Sequence, residues 1–185
     1  MPKTRHLCVF CSSSGEIDKE YFRAARELGE EIARRKLALV YGGSDLGLMG
    51  ELARSAHKHG GKIVGIIPKG LHLKVPALKA EHELIVTEDL RHRKTVMEMR
   101  SDAFVALPGG FGTLEELMEI LTLKQLGYHN KPIVLLNTKG FYDPLISFFE
   151  KLFKDRFAHR KNRELYRLVP TVKSVFECLE RCQIS

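Results

Sequence analysis

Short apolar runs alternate along the chain with longer stretches of helical period. His6 to Phe10 reads as a strand, and Ile17 to Arg35 as a helix whose apolar positions include Phe22, Ala25, Leu28 and Ile32. Leu37 to Tyr41 is a second strand, followed by the glycine turn GGSDLG and a helix over Leu48 to His59. Lys62 to Ile67, closed by Pro68, is a third strand, and Glu83–Thr87, Ala103–Leu107 and Ile133–Asn137 are three more. Further helices are predicted near 89–101, 114–126, 142–154 and 172–182. Strands separated by helices of about ten or more residues pair in parallel, with crossovers covering both faces of the sheet. The expected fold is a Rossmann-like, doubly wound α/β sheet in a single domain over 1–185, with a basic C-terminal helical segment from about 151.

Such a sheet binds ligands beyond the carboxyl ends of its strands, where the strand-to-helix loops gather. Three loops qualify: Cys11-Ser-Ser-Ser-Gly15, Gly42-Gly-Ser-Asp-Leu-Gly47 and Pro108-Gly-Gly-Phe-Gly-Thr113. A glycine turn opening a helix presents backbone N–H groups at the positive end of the helix dipole, which suits a phosphate. Neither GxxxxGK[ST] nor GxGxxG occurs, so the chain is neither a P-loop NTPase nor a bearer of the usual dinucleotide fingerprint. The third loop is therefore either a phosphate cradle of its own kind or a tight turn with no ligand. Thr113-Leu-Glu-Glu116 also matches a capping box, with Thr113 as N-cap and Glu116 reaching back to a backbone N–H, so Glu116 has a structural and a catalytic reading. Upstream, Arg93 falls in the same helical sector as Leu90, Val96 and Met97. Its head either snorkels to solvent or enters the crevice as a fixed cation.

Composition changes this picture little. At 185 residues, 44% hydrophobic and 29% charged, the chain is that of an ordinary globular protein, and no run reaches the length of a membrane span. Cys8 and Cys11 have the CxxC spacing of a zinc or redox pair, but on a strand residues three apart face opposite sides. They are read as structural thiols in a reducing, cytoplasmic setting, and no metal cluster is expected. The formal net charge is +7, of which +5 lies from Lys151 onward. That tail is read as a solvated face; no nucleic-acid-binding motif accompanies it.

Taken together these segments resemble the LOG ("lonely guy") family, cytokinin riboside 5′-monophosphate phosphoribohydrolases formerly labelled lysine decarboxylases. The family's PGGxGTxxE stands here as Pro108-Gly-Gly-Phe-Gly-Thr-Leu-Glu-Glu116, preceded by Arg93-Lys94. VFCSSSG, LVYGGSDLGLMG, GIIPK, SDAFVALPGG and QLGYHNKPIVLLNTKGFYDPL extend the resemblance over nearly the whole chain. It implies hydrolysis of the N-glycosidic bond of N6-modified adenosine 5′-monophosphates or AMP, without a cofactor, by a homodimer. It also implies Arg93 and Glu116 as the catalytic pair. Gly109, Gly110, Phe111, Gly112, Thr113, Leu114 and Glu115 would bind substrate, together with Lys94, Thr122, Ser13 and Gly43. A nucleotide carrier or sensor of the same fold is the alternative. Three positions depart from the family: Ser12 stands where glycine is frequent, Phe111 replaces a tyrosine, and Val75 sits where plant members carry a glutamate, with Glu81 and Glu83 the nearest acids.

Overall fold

The computed structural model describes residues 5–76 and 82–184, so Glu81 and part of the 70–82 loop lie outside the described residues. Its elements run β1 (His6–Phe10), α1 (Lys19–Arg34), β2 (Ala38–Tyr41), α2 (Gly47–Lys58), β3 (Lys62–Pro68) and a short α3 (Lys69–His72). They continue as β4 (Glu83–Thr87), α4 (Leu90–Met99), β5 (Ala103–Ala106), α5 (Phe111–Gln125), β6 (Ile133–Leu136), α6 (Asp143–Lys154), β7 (Arg167–Val169) and α7 (Val172–Ile184). All strands pair in parallel in one sheet of order β4-β3-β2-β1-β5-β6-β7. The six expected strands are present, and β7 is an addition. Its three residues begin with an exposed arginine and stop before Pro170, so no apolar run marked it.

Alternation along the strands divides the core into two layers. Leu7, Val9 and Cys11 face α1, α2 and α7, packing with Leu28, Ile32, Leu52 and Val175. Cys8 and Phe10 face the other way, with Met97 of α4, Leu117 and Ile120 of α5, and Phe149 of α6. Central strands buried on both sides carry near-continuous apolar sequence, which is why they were readable. The two cysteines of the CxxC spacing therefore lie in opposite layers, and every cysteine is a free thiol.

Helix starts follow local chemistry. Asp18 caps α1 by accepting from Glu20 N at 2.8 Å, and Asp89 caps α4 by accepting from His92 N at 2.8 Å. From β1 the chain winds outward through β2 to β4, then returns to lay β5 against the other side of β1. The crevice at the carboxyl ends of β1 and β5 is the topological switch point of the sheet.

The α1–α2 contact admits no side chain at Gly29, where a Cβ would stand 2.4 Å from Leu52 O and 2.9 Å from Ser55 Cβ. Gly29→Val is expected to cost about 1–3 kcal/mol of unfolding free energy by forcing the helices apart, measurable by urea denaturation.

Candidate functional site

Arg93 enters the crevice. Its side chain is 12% exposed, its Nε donates to Ile66 O at 3.0 Å and its Nη2 to Gly42 O at 3.5 Å, while Nη1 lies 3.2 Å from Glu116 Oε1. The guanidinium fork is thus shared between the ends of β2 and β3 and the carboxylate of α5, and the snorkelling alternative is overturned. Gly42 makes this possible. A Cβ there would stand 2.2 Å from Arg93 Nη2, so the first glycine of GGSDLG vacates the space that the guanidinium fills.

The start of α5 corrects the capping-box reading. The helix begins at Phe111 rather than near residue 114, with Gly110 as N-cap and no side-chain cap bond. Thr113 is the third helical residue and buried, and Glu116 pairs with Arg93 instead of reaching back to a backbone N–H. The glycines let the backbone enter the helix one turn early. Gly109 is needed for packing, since a Cβ there would meet Thr113 Oγ1 at 2.1 Å, whereas a Cβ at Gly110 or Gly112 would meet nothing within 4 Å. No neighbour among the described residues requires glycine at those two positions, and the open space above them leaves the backbone approachable. Leu114 N donates to Gly110 O at 3.0 Å, so the amides of Phe111, Gly112 and Thr113 precede the first intrahelical donor and have no acceptor within the helix. Beneath the loop, Leu107 N donates to Phe10 O at 2.9 Å and Tyr142 Oη donates to Leu107 O at 2.7 Å, fixing its origin.

These elements surround a cavity of about 530 Å³, within the usual range for small-molecule sites. Arg93, Glu116, Gly110, Phe111, Gly112, Thr113 and Ser13, which the resemblance set in the site, line this cavity. Ser12, Ser14, Gly42 and Ser44 of the first two loops also line it, as does an apolar side made by Leu46, Met49, Ile67, Leu71, Val75 and Leu90. Of this apolar side the sequence had drawn notice only to Leu90 and Val75, because scattered aliphatic residues at loop ends carry no local signature. Gly43, Gly109, Leu114, Glu115 and Thr122 lie outside this lining. Gly43 packs on Ile66 and Ile67 with φ +70°, Leu114 packs on the core, and the Thr122 hydroxyl donates to Met118 O at 2.7 Å. Lys94 is also outside it, held by Glu115 and Glu119 of α5.

Burial dominates the electrostatics of Glu116. Desolvation pushes its carboxyl up to about 7, opposed by the Arg93 guanidinium and assisted by Glu115. A carboxyl titrating near neutrality in a cavity wall, oriented by a fixed cation, is suited to holding hydroxyls and to taking a proton. Cys11, also in the lining, is kept neutral because burial raises its thiol. Among the described residues no group of histidine, cysteine and carboxylate side chains is arranged to hold a metal ion.

The contrast among the glycines is testable by thermal unfolding. Gly109→Ala is expected to destabilise the protein by about 1–3 kcal/mol. Gly112→Ala is expected to leave stability unchanged or raise it by up to about 1 kcal/mol.

Comparison with known proteins places these features in context. A family model described as "Possible lysine decarboxylase" matches residues 49–179. A cytokinin riboside 5′-monophosphate phosphoribohydrolase of Arabidopsis thaliana is 43% identical over 178 residues, covering 96% of this chain and 83% of that protein. A protein of Oryza sativa subsp. japonica named "Probable cytokinin riboside 5'-monophosphate phosphoribohydrolase" is 44% identical over 176 residues, 95% of this chain and 72% of that protein. Among solved structures, the molybdenum cofactor carrier protein of Chlamydomonas reinhardtii superposes with a TM-score of 0.77 at 24% identity, over 99% of this chain and 100% of that one, a likeness of fold alone. With similarity of this degree over nearly its whole length, the chain belongs to the LOG family of cytokinin riboside 5′-monophosphate phosphoribohydrolases.

Proposed function

We propose that the protein hydrolyses the N-glycosidic bond of N6-modified adenosine 5′-monophosphates, AMP or both, releasing the free base and ribose 5-phosphate. The observation that carries this reading is the buried Arg93–Glu116 pair in the wall of a cavity that also contains a glycine-lined helix start. The names of the relatives support the same reaction class. The amides of Phe111, Gly112 and Thr113 receive the 5′-phosphate, where the positive end of α5 adds to their attraction. Glu116, in the second turn of the helix, attends the ribose. As the C–N bond breaks, its electron pair leaves with the purine and positive charge builds on the sugar, much as in glycoside hydrolysis. The Glu116 carboxylate stabilises that charge and takes a proton from the attacking water. Arg93 does not give up a proton, because its pKa exceeds about 12; it orients Glu116 and opposes the negative charge that develops nearby. The departing purine takes its proton from solvent.

The family model's description names decarboxylation of lysine, and no lysine that could carry a cofactor for that reaction is among the described residues lining the cavity. We also read the chain as one domain and a cytoplasmic homodimer. Phe111, at 93% exposure, together with Met118 and Leu126, leaves α5 with uncovered apolar surface that a second copy would bury. No described helix is long and apolar enough to cross a membrane.

Incubation with AMP and with isopentenyladenosine monophosphate, followed by chromatography, is expected to show free base from at least one of them. Recovery of both nucleotides intact from folded protein would defeat the proposal. Arg93→Ala and Glu116→Ala are each expected to lower kcat at least about 100-fold. Because Glu116 works as the ionised base, kcat/KM is expected to fall as pH drops below about 7, and the fall is expected to disappear in the residual rate of Glu116→Gln.

A further inference from the structure

The sheet has a further hollow at the end opposite the crevice. It measures about 560 Å³ and opens where β6 and β7 begin, between the last turn of α5 and the second half of α7. None of its described lining residues belongs to the crevice. Pro132, Ile133, Val134 and Leu165 give it an apolar wall, and Lys124, Lys161 and Arg167 bring charge to it from three separate elements. Glu164 is the one carboxylate among the described lining residues, so three cations against one acid leave a surplus of two positive charges.

These cations are held in place without being neutralised. Arg167 Nη1 donates to Tyr166 O at 3.0 Å and to Glu164 O at 3.3 Å, and Lys124 Nζ donates to Lys131 O at 3.0 Å. Among the described residues none of the three cations is ion-paired to a carboxylate. Burial pushes the half-buried Lys124 ammonium down, and the charge of Arg167 adds to the fall, against the opposing influence of the Cys178 and Cys182 thiols. One ammonium has a structural use there, since the carboxyl end of α5 carries about half a negative charge. Lys161 and Arg167 exceed that need, and they belong to the basic C-terminal segment, whose composition alone reads as a solvated face. Buried Asn162 donates from Nδ2 to Gln125 Oε1 at 3.0 Å and fixes the 3₁₀ turn Arg160–Leu165 against α5, so the hollow has a braced wall.

We propose that this hollow is a second binding site, for a small organic dianion whose oxyanion head is held by Lys124, Lys161 and Arg167 while its apolar body lies on Pro132, Ile133, Val134 and Leu165. Charge and shape both match. Two negative charges balance the surplus, and a phosphate monoester or a dicarboxylate supplies them on oxygens that a guanidinium can meet in a bidentate way. A volume of about 560 Å³ is that of a small-molecule site, and an inorganic anion alone would leave the apolar wall uncovered. The site stands independently of the hydrolase reading, because it shares no described residue with the crevice that holds Arg93 and Glu116.

The test titrates the ¹⁵N-labelled full chain with phenyl phosphate, with phthalate and, as an uncharged probe, with benzyl alcohol, all in slightly alkaline buffer. Amide shifts are expected to cluster at Lys124, Val134, Arg167 and Cys178 with at least one dianion, and to be absent there with benzyl alcohol. A response to phenyl phosphate alone would assign the head group as phosphate, and a response to phthalate alone would assign it as carboxylate. Arg167→Gln and Lys161→Gln, both at exposed positions that spare the fold, are each expected to raise Kd about 3- to 10-fold, the effect of one charge near a protein surface. Shifts that are absent, or confined to Gly110, Gly112 and the rest of the crevice, would overturn the proposal. So would equal shifts with benzyl alcohol, or a Kd unchanged in both variants.

Discussion

An arginine and a glutamate cannot be taken out of water unless each is paired and hydrogen-bonded, and that requirement organises the crevice end of this sheet. Arg93 satisfies it with two main-chain carbonyls, from Gly42 and Ile66, and with Glu116. The consequences spread outward from there. Position 42 has no room for a side chain, α4 is capped at Asp89 so that its second turn points inward, and α5 begins at Gly110 so that Glu116 reaches the guanidinium. Losing one partner would strand the other in the interior, which is why the pair behaves as a unit.

The same arrangement separates two kinds of charge within one cavity. The amide end of α5 offers positive potential at Phe111 to Thr113, while Glu116 lies further along the same helix and is turned toward Arg93. A phosphate and a sugar can then be held by one helix without the carboxylate repelling the phosphate. The third side of the cavity is aliphatic, from Leu46, Met49, Ile67, Leu71 and Val75, and supplies shape rather than polarity to whatever lies beyond the sugar.

Much of this was visible in the order of residues, for identifiable reasons. Doubly buried strands write themselves as unbroken apolar runs, and Leu7, Val40, Val64 and Val105 lie in such runs. A strand of three residues headed by Arg167 leaves no such trace. Motif resemblance located Arg93 and Glu116, but the residues alone could not decide between cap and catalytic pair at Glu116. Thr113 has the composition of an N-cap, and only the path of the backbone through Gly109 and Gly110 moves the helix start three residues earlier. Lys94 shows the same limit. The resemblance set it in the ligand pocket beside Arg93, whereas in the structure its ammonium turns to Glu115 and Glu119, in the wall of a second cavity that shares Phe10 and Glu116 with the first.

The two rims of the sheet have a consequence of their own. An open sheet ends in strands whose outer main-chain groups can recruit another chain, and proteins blunt such rims with shortness and charge. Here β7 contributes three residues beginning with Arg167, and β4 begins at Glu83, which is ion-paired to Arg100. Neither rim is a good template for strand addition, so growth of the sheet into fibres is disfavoured at both ends. Any self-association is thereby steered to the helical faces, where contacts are made by side chains and can close on themselves instead of propagating.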